Sequence, residues 1–167
     1  MRRLLLAIRL GAILIAVPLA AHSAEQPGGA VTITGPSSQP MTIDADNLAR
    51  LPAQQIAISF LSAQGNRSAT FAGPLLWNVL EQYKAIDPAQ HQAQVSQYVV
   101  LTGRDGYRAV LALAELAPEF EGKQIILARE MDGKPFDSEH LRIIVPADKR
   151  GGRSVRDIAR IEVKIIP

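Results

Sequence analysis

Three stretches of this 167-residue chain carry side chains able to hold a polar ligand. The first is Gly103-Arg104-Asp105-Gly106-Tyr107-Arg108, where two glycines bracket a carboxylate with an aromatic just beyond. It reads as a tight turn between strands. Asp105 there either bonds its own backbone, as turn aspartates do, or forms the wall of a pocket with Tyr107 as its aromatic face. The second runs from residue 146 to 160, PADKRGGRSVRDIAR. It crowds Lys149, Arg150, Arg153, Arg156 and Arg160 together, with only Asp148 and Asp157 to counter them. Paired glycines bring backbone N–H groups close to whatever sits nearby, and guanidinium forks suit planar acceptors and anions. A solvated basic face is the plain alternative. The third is Gly65-Asn66-Arg67 together with Trp77, the single tryptophan. Trp77 offers either a stacking surface or a large core side chain.

Other chemistry is thinly represented. Beyond the N-terminal segment the histidines are His91 and His140, without a metal-binding spacing. Glu139-His140 reads as a turn leading into a strand. There is no nucleophile elbow and no phosphate loop. The Asn66-Arg67-Ser68 triplet is too short to carry weight as a glycosylation signal. The chain has no cysteine, hence no disulfide, no thiol nucleophile and no thiolate ligand.

The elements that must position these stretches follow from periodicity. Val31–Thr34 and Met41–Ile43 read as a hairpin around a Gly-Pro-Ser-Ser turn. Asp44 or Asp46 caps a short helix reaching Arg50, ahead of Pro52. Gln55–Leu61 alternates as a strand, and Ala69–Phe71 is extended. Pro74–Lys84 carries Leu76, Val79, Leu80 and Tyr83 at helical spacing, with Pro74 in the first turn. Pro88–Gln94 is a weaker helical turn. Val95–Leu101, Tyr107–Leu113, Lys123–Arg129, Leu141–Val145 and Ile158–Ile166 read as strands. Ala114–Phe120 and Arg153–Asp157 read as short helical turns. The sum is an α+β domain with a mixed sheet, strand-rich with a few short helices.

Residues 1–24 read as a cleavable signal peptide. Arg2, Arg3 and Arg9 flank an apolar run that ends in small residues, and the run is shorter than the ~20 residues a bilayer span needs. Arg2-Arg3 directly follow Met1 with no polar residue before them, which favours export of an unfolded chain over the twin-arginine route. Residues 25–30 form a flexible leader and 31–167 the domain. Without its three leading arginines the chain carries one more acid than base, so no nucleic-acid partner is expected. The expected location is the periplasm, with no stable membrane insertion after cleavage.

Taken in order, several segments resemble the sulfite oxidase-like molybdopterin-binding domain family. FAGPLLWNVLEQY resembles its helix entry, and TGRDGYRAVLALAEL its Asp-Gly-Tyr strand and leucine-rich turn. EMDGKPFDSEHLRIIVPADKRGGRSVRDIARIEV is similar to its C-terminal run. In the family a cysteine two residues before a Gly-Asn pair supplies the sulfur that binds molybdenum. In LSAQGNR that position is Ala63, and a methyl group donates no lone pair.

The resemblance therefore implies the family's cysteine-lacking periplasmic members. These bind a pterin, oxidised or reduced, without a protein-ligated metal, and pass a signal to the periplasmic part of an inner-membrane protein such as a cyclic-di-GMP enzyme. A molybdopterin-dependent oxidoreductase lacking the usual cysteine is the first alternative, and a ligand-free interaction module the second. Whether the protein is an enzyme stays open at this point, with a non-catalytic role preferred. A pterin needs a plane to stack on, a carboxylate for its 2-amino and N3 hydrogens, and donors for O4 and N5. The candidates are Trp77 or Tyr107 for stacking, Asp105 or Glu115 as acceptor, and Arg67, Arg150, Arg153, Ser154 and Arg156 as donors.

Overall fold

The computed structural model describes residues 30–62, 65–136 and 140–167. The expected signal peptide, all of the leader except Ala30, Ala63 and Glu139 lie outside the described residues.

The main sheet has five strands in the order β2-β1-β11-β5-β6. These are β1 (Val31–Thr34), β2 (Met41–Ile43), β5 (Gln97–Gly103), β6 (Arg108–Ala112) and β11 (Ile158–Ile165). The C-terminal β11 inserts between β1, parallel to it, and β5, antiparallel to it, so the sheet is mixed. One sheet face is apolar at every second residue. Val31, Ile33, Val99, Leu101, Leu111, Ile161 and Val163 are buried on it. Helices α1 (Ala45–Ala49), α2 (Leu76–Gln82) and α4 (Leu113–Leu116) add Leu48, Leu76, Val79, Leu80, Leu113 and Leu116 to the same core. Each such side chain contributes roughly 1.5–3 kcal/mol on burial.

A second layer builds on a long hairpin of β3 (Ala53–Ser62) and β4 (Gly65–Pro74), extended by β8 (Glu130–Met131) and β9 (Lys134–Pro135). The short pair β7 (Ile126–Ala128) and β10 (Arg142–Ile144) lies between the layers. Leu127 and Ile143 face the main core. Ile126, Ala128 and Ile144 form a smaller one with Ala69 and Phe71.

Beyond strand lengths (β7 is shorter than the expected 123–129, β4 longer than 69–71) and the unexpected β8–β9 pair, the structure departs from the sequence expectation at three places. Pro74 does not open the helix; it ends β4 opposite Ala53. The following amides are already used, since Leu75 bridges to Ile126 and the Leu76 N–H donates to the Ile125 carbonyl, so α2 begins only at Leu76. The weak helical turn falls at α3 (His91–Val95), three residues later than its expected start. The expected turn at Arg153–Asp157 lies earlier, as a 3₁₀ turn at Gly151–Arg153. Residues 154–157 instead run beside β10: Ile143 N–H donates to Val155 O, and Ile158 N–H to Leu141 O. Tertiary pairing took the amides that a helix would have needed.

Candidate functional site

An open groove of about 190 Å³ is lined by Asp105, Tyr107, Gly151, Gly152, Ser154 and Arg156. It joins two stretches picked out by residue type alone. On one side is the β5–β6 turn, closed by Gly106 N–H to Gly103 O at 3.0 Å and by Gly103 N–H to Tyr107 O at 2.9 Å. Asp105 Oδ1 accepts the Tyr107 N–H at 2.9 Å, so one carboxylate oxygen shapes the turn. Among the described residues its Oδ2 has no partner and remains an acceptor.

On the other side is the 3₁₀ turn. Tyr107 ties the two together, its hydroxyl donating to the Gly152 carbonyl at 2.6 Å. Arg104 adds a second tie through its backbone N–H to Asp157 O at 2.8 Å. The arginine's Nη2 also reaches the carbonyl of Ala30 at 3.1 Å, which anchors the residue assigned to the end of the leader. Close approach of the two loops requires glycine at position 103. A Cβ there would stand 2.7 Å from Asp105 Oδ1 and 3.1 Å from Arg156 O.

The 3₁₀ turn is held from behind by an ionic clasp. Arg153 donates from Nε and Nη2 to both oxygens of Asp148 at 2.9 and 2.7 Å, and from Nη1 to Glu115 at 2.9 and 3.0 Å. Glu115 also accepts from Lys123 at 3.0 Å and from the Ala112 N–H at 3.2 Å. Burial pushes the Glu115 carboxyl up, but the hydrogen bonds from Lys123 and Arg153 outweigh it and hold the group below its ordinary range. The Arg153 hydrogen bonds hold Asp148 low in the same way. Arg153 itself is raised, chiefly by Asp148.

This places the sequence candidates. Asp105, Tyr107, Ser154 and Arg156 converge on the groove. Ser154 Oγ accepts the Val145 N–H at 3.1 Å and keeps its own hydrogen to donate. Glu115 and Arg153 do not line the groove; each bonds the other and neighbouring groups behind the 3₁₀ turn. Trp77, 8% exposed, belongs to the main core and presents no stacking face to the groove. Arg150 precedes the 3₁₀ turn, and Arg67 is exposed on the hairpin opposite Phe60; neither lines the groove.

One residue escaped the sequence reading. Arg142 sits on β10 with its guanidinium 4.7 Å from the centre of the Phe136 ring. Its Nε is buried without a partner. Burial and then the charge of Arg156 depress its basicity. Two arginines thus share this region, and Asp157 offsets their repulsion only in part. The signal was present as a lone arginine within an otherwise apolar strand.

His91 pairs with Glu119 at 2.5 Å on the surface, away from the groove. No group of three or more His, Asp or Glu able to hold a metal occurs among the described residues.

The sequence model of the oxidoreductase molybdopterin-binding domain matches residues 29–165. The chain belongs to that family. Among solved structures, this molybdopterin-binding domain is similar to the sulfane dehydrogenase SoxCD from Paracoccus pantotrophus, with a TM-score of 0.63 and 16% identity. The match covers 80% of this chain and 37% of that one, so the domain spans little more than a third of its neighbour's length. At this identity the likeness is one of fold, and it establishes the sulfite oxidase-like mixed-sheet architecture. No curated protein matches the sequence.

The site suits the organic part of the family's cofactor and not its usual protein ligation. Arg156, Ser154 and the glycine-rich turn supply donors, Asp105 supplies an acceptor and Tyr107 an aromatic ring. A protein thiolate for molybdenum is lacking, since the sequence contains no cysteine.

Proposed function

We propose that this domain binds a pterin in the Asp105–Tyr107–Arg156 groove as a non-catalytic ligand sensor. The observation that carries the reading is the pairing of a donor-rich, half-aromatic groove with a chain that contains no thiolate. Asp105 Oδ2 accepts the 2-amino and N3 hydrogens of the heterocycle. Arg156 and Ser154 donate to O4 and N5, and the half-exposed Tyr107 ring covers one face. At about 190 Å³ the groove is smaller than the roughly 300–1,000 Å³ of ordinary ligand pockets, which suits a flat bicyclic head rather than a whole dinucleotide.

The location is the periplasm, supported by the arginines and apolar run of residues 1–24. A protein exported unfolded meets its ligand outside the cytoplasm, which favours a free pterin over a pre-assembled metal cofactor. The receiver of the signal is the periplasmic part of an inner-membrane protein, for which a cyclic-di-GMP enzyme is the leading candidate.

Thermal denaturation with oxidised pterin and tetrahydropterin tests the binding step. At a hundredfold excess over Kd, a ligand adds about 2.7 kcal/mol to folding stability. For a domain of this size that corresponds to a Tm rise of roughly 5–10 °C. A Tm that stays flat with both pterins removes the reading and favours a ligand-free interaction module.

A further inference from the structure

The solvent face of the five-stranded sheet carries a second cationic arrangement that shares no residue with the groove. Thr102 on β5 pairs with Arg160 on β11 and with Arg108 on β6. Directly paired residues project to the same side of a sheet, so Arg160, Thr102 and Arg108 stand in one row across three strands. The two arginine Cα atoms are separated by about 10 Å, one wide plus one narrow strand spacing, which lets both guanidinium groups reach over the residue between them.

Three observations set this row apart from an ordinary solvated face. Thr102 is only 4% exposed, and its hydroxyl is buried with no hydrogen-bond partner, although the surrounding sheet face is open. Arg108 and Arg160 are both exposed, and neither is ion-paired among the described residues. Glu162, the acid on the same face of β11, is taken by Lys164 at 3.2 Å. The buried hydroxyl without a partner is unfavourable as it stands, the two exposed guanidinium groups have donors to spare, and a single anion with several acceptor oxygens serves all three. The neighbouring cross-strand pair is Val100 and Val110, the latter 52% exposed, which gives apolar surface beside the cations.

We propose that Arg108, Thr102 and Arg160 form an oxyanion site for a phosphate group. The two guanidinium forks bind its oxygens from either side, and the Thr102 hydroxyl donates from below as the arginine stems part. Val100 and Val110 then lie against whatever the phosphate is attached to. The site takes either a soluble phosphate ester or a phospholipid headgroup, since both present the same group.

Isothermal titration of the full chain with inorganic phosphate tests this. Saturable one-to-one binding is expected, weakened about tenfold by Arg108→Gln and by Arg160→Gln, the loss that goes with a charged hydrogen bond. Thr102→Val, close in shape, is expected to weaken it less. Circular dichroism melts of each variant separate lost binding from lost fold. No saturable binding would overturn the proposal, as would outer-face variants that bind like the wild type. Binding abolished by Arg156→Ala but not by Arg108→Gln would assign the phosphate to the groove and also overturn it. Sedimentation with phosphatidylglycerol vesicles then names the source. Retention that Arg108→Gln abolishes indicates a headgroup, whereas phosphate binding without retention indicates a soluble ester. Because the row is separate from the groove, a negative pterin titration leaves this result standing, and the reverse holds equally.

Discussion

The phenol of Tyr107 donates to the carbonyl of Gly152 across 2.6 Å, joining the β5–β6 turn to the glycine-rich turn 45 residues later. Together with the Arg104 N–H to Asp157 O bond, it holds the groove's walls at their spacing, because the two loops supply all six of its lining residues. Tyr107→Phe keeps the ring and deletes the tie. Folding stability is expected to fall by only about 0.5–1.5 kcal/mol, as for a single neutral hydrogen bond. Pterin affinity is expected to fall severalfold as the loops separate. Calorimetric titration beside a thermal melt checks both, and a variant with unaltered affinity shows that the tie does not shape the site.

Gly103→Ala probes the same junction from below. The added methyl meets Asp105 Oδ1 at 2.7 Å and the Arg156 carbonyl at 3.1 Å, so one of the two groove walls must move. Overpacking of this kind costs roughly 1–3 kcal/mol. Urea denaturation reads that cost, and a stability equal to wild type would contradict the close approach.

Within the groove, Arg156→Ala is expected to reduce pterin affinity more than tenfold, the loss of a charged donor. Arg142→Gln relieves the repulsion between two neighbouring guanidinium groups. It is expected to stabilise the empty protein slightly while weakening any ligand that carries negative charge. Paired melts with and without ligand separate the two effects. Equal destabilisation in both conditions would make Arg142 a packing residue over Phe136 and nothing more.

The Arg153 clasp predicts a pH profile with a definite sign. Glu115 and Asp148 are both depressed from their ordinary values of 4.5 and 3.8. The native state therefore binds fewer protons than the unfolded chain in mild acid. Their contribution is complete above about pH 4.5 and is lost as pH falls through the depressed native values. Lys123, raised above its ordinary 10.5 chiefly by Glu115, works in the opposite direction. Its contribution is complete below that value and disappears as pH climbs through the raised one. Denaturant midpoints measured from pH 2 to 8 should drop on the acid side, and Glu115→Gln should flatten the drop. An unchanged slope in that variant would show that the carboxylate does not carry the linkage.

Much of this architecture could be read from local pattern, because local physics decides it. Asp44 caps α1 by accepting the Asn47 N–H at 2.8 Å, as its position before a helical run implied. Strands β1 and β6 of the main sheet alternate cleanly, since only one of their faces is buried. What could not be read depended on partners distant in sequence. Trp77 looked equally suited to stacking or to packing until α2 was seen to press it into the core. Glu115 and Arg153 look like ligand contacts in isolation, and their pairing across a sequence separation of 38 exists only in the fold. Arg142 drew no notice within the Leu141–Val145 strand, because its contact with the Phe136 ring exists only in the fold. Of the groove, Asp105, Tyr107, Ser154 and Arg156 were legible because glycine-flanked polar residues mark turns that approach something closely.

The account's central claim is that a chain without cysteine holds an organic heterocycle but does not ligate molybdenum through a protein thiolate. Purification from its native compartment followed by pterin fluorescence and elemental analysis on one sample tests it most directly. A fluorescent pterin released on denaturation, with molybdenum far below one atom per chain, is the predicted result. About one molybdenum per chain, with electrons passing from a substrate through the isolated protein, would contradict it.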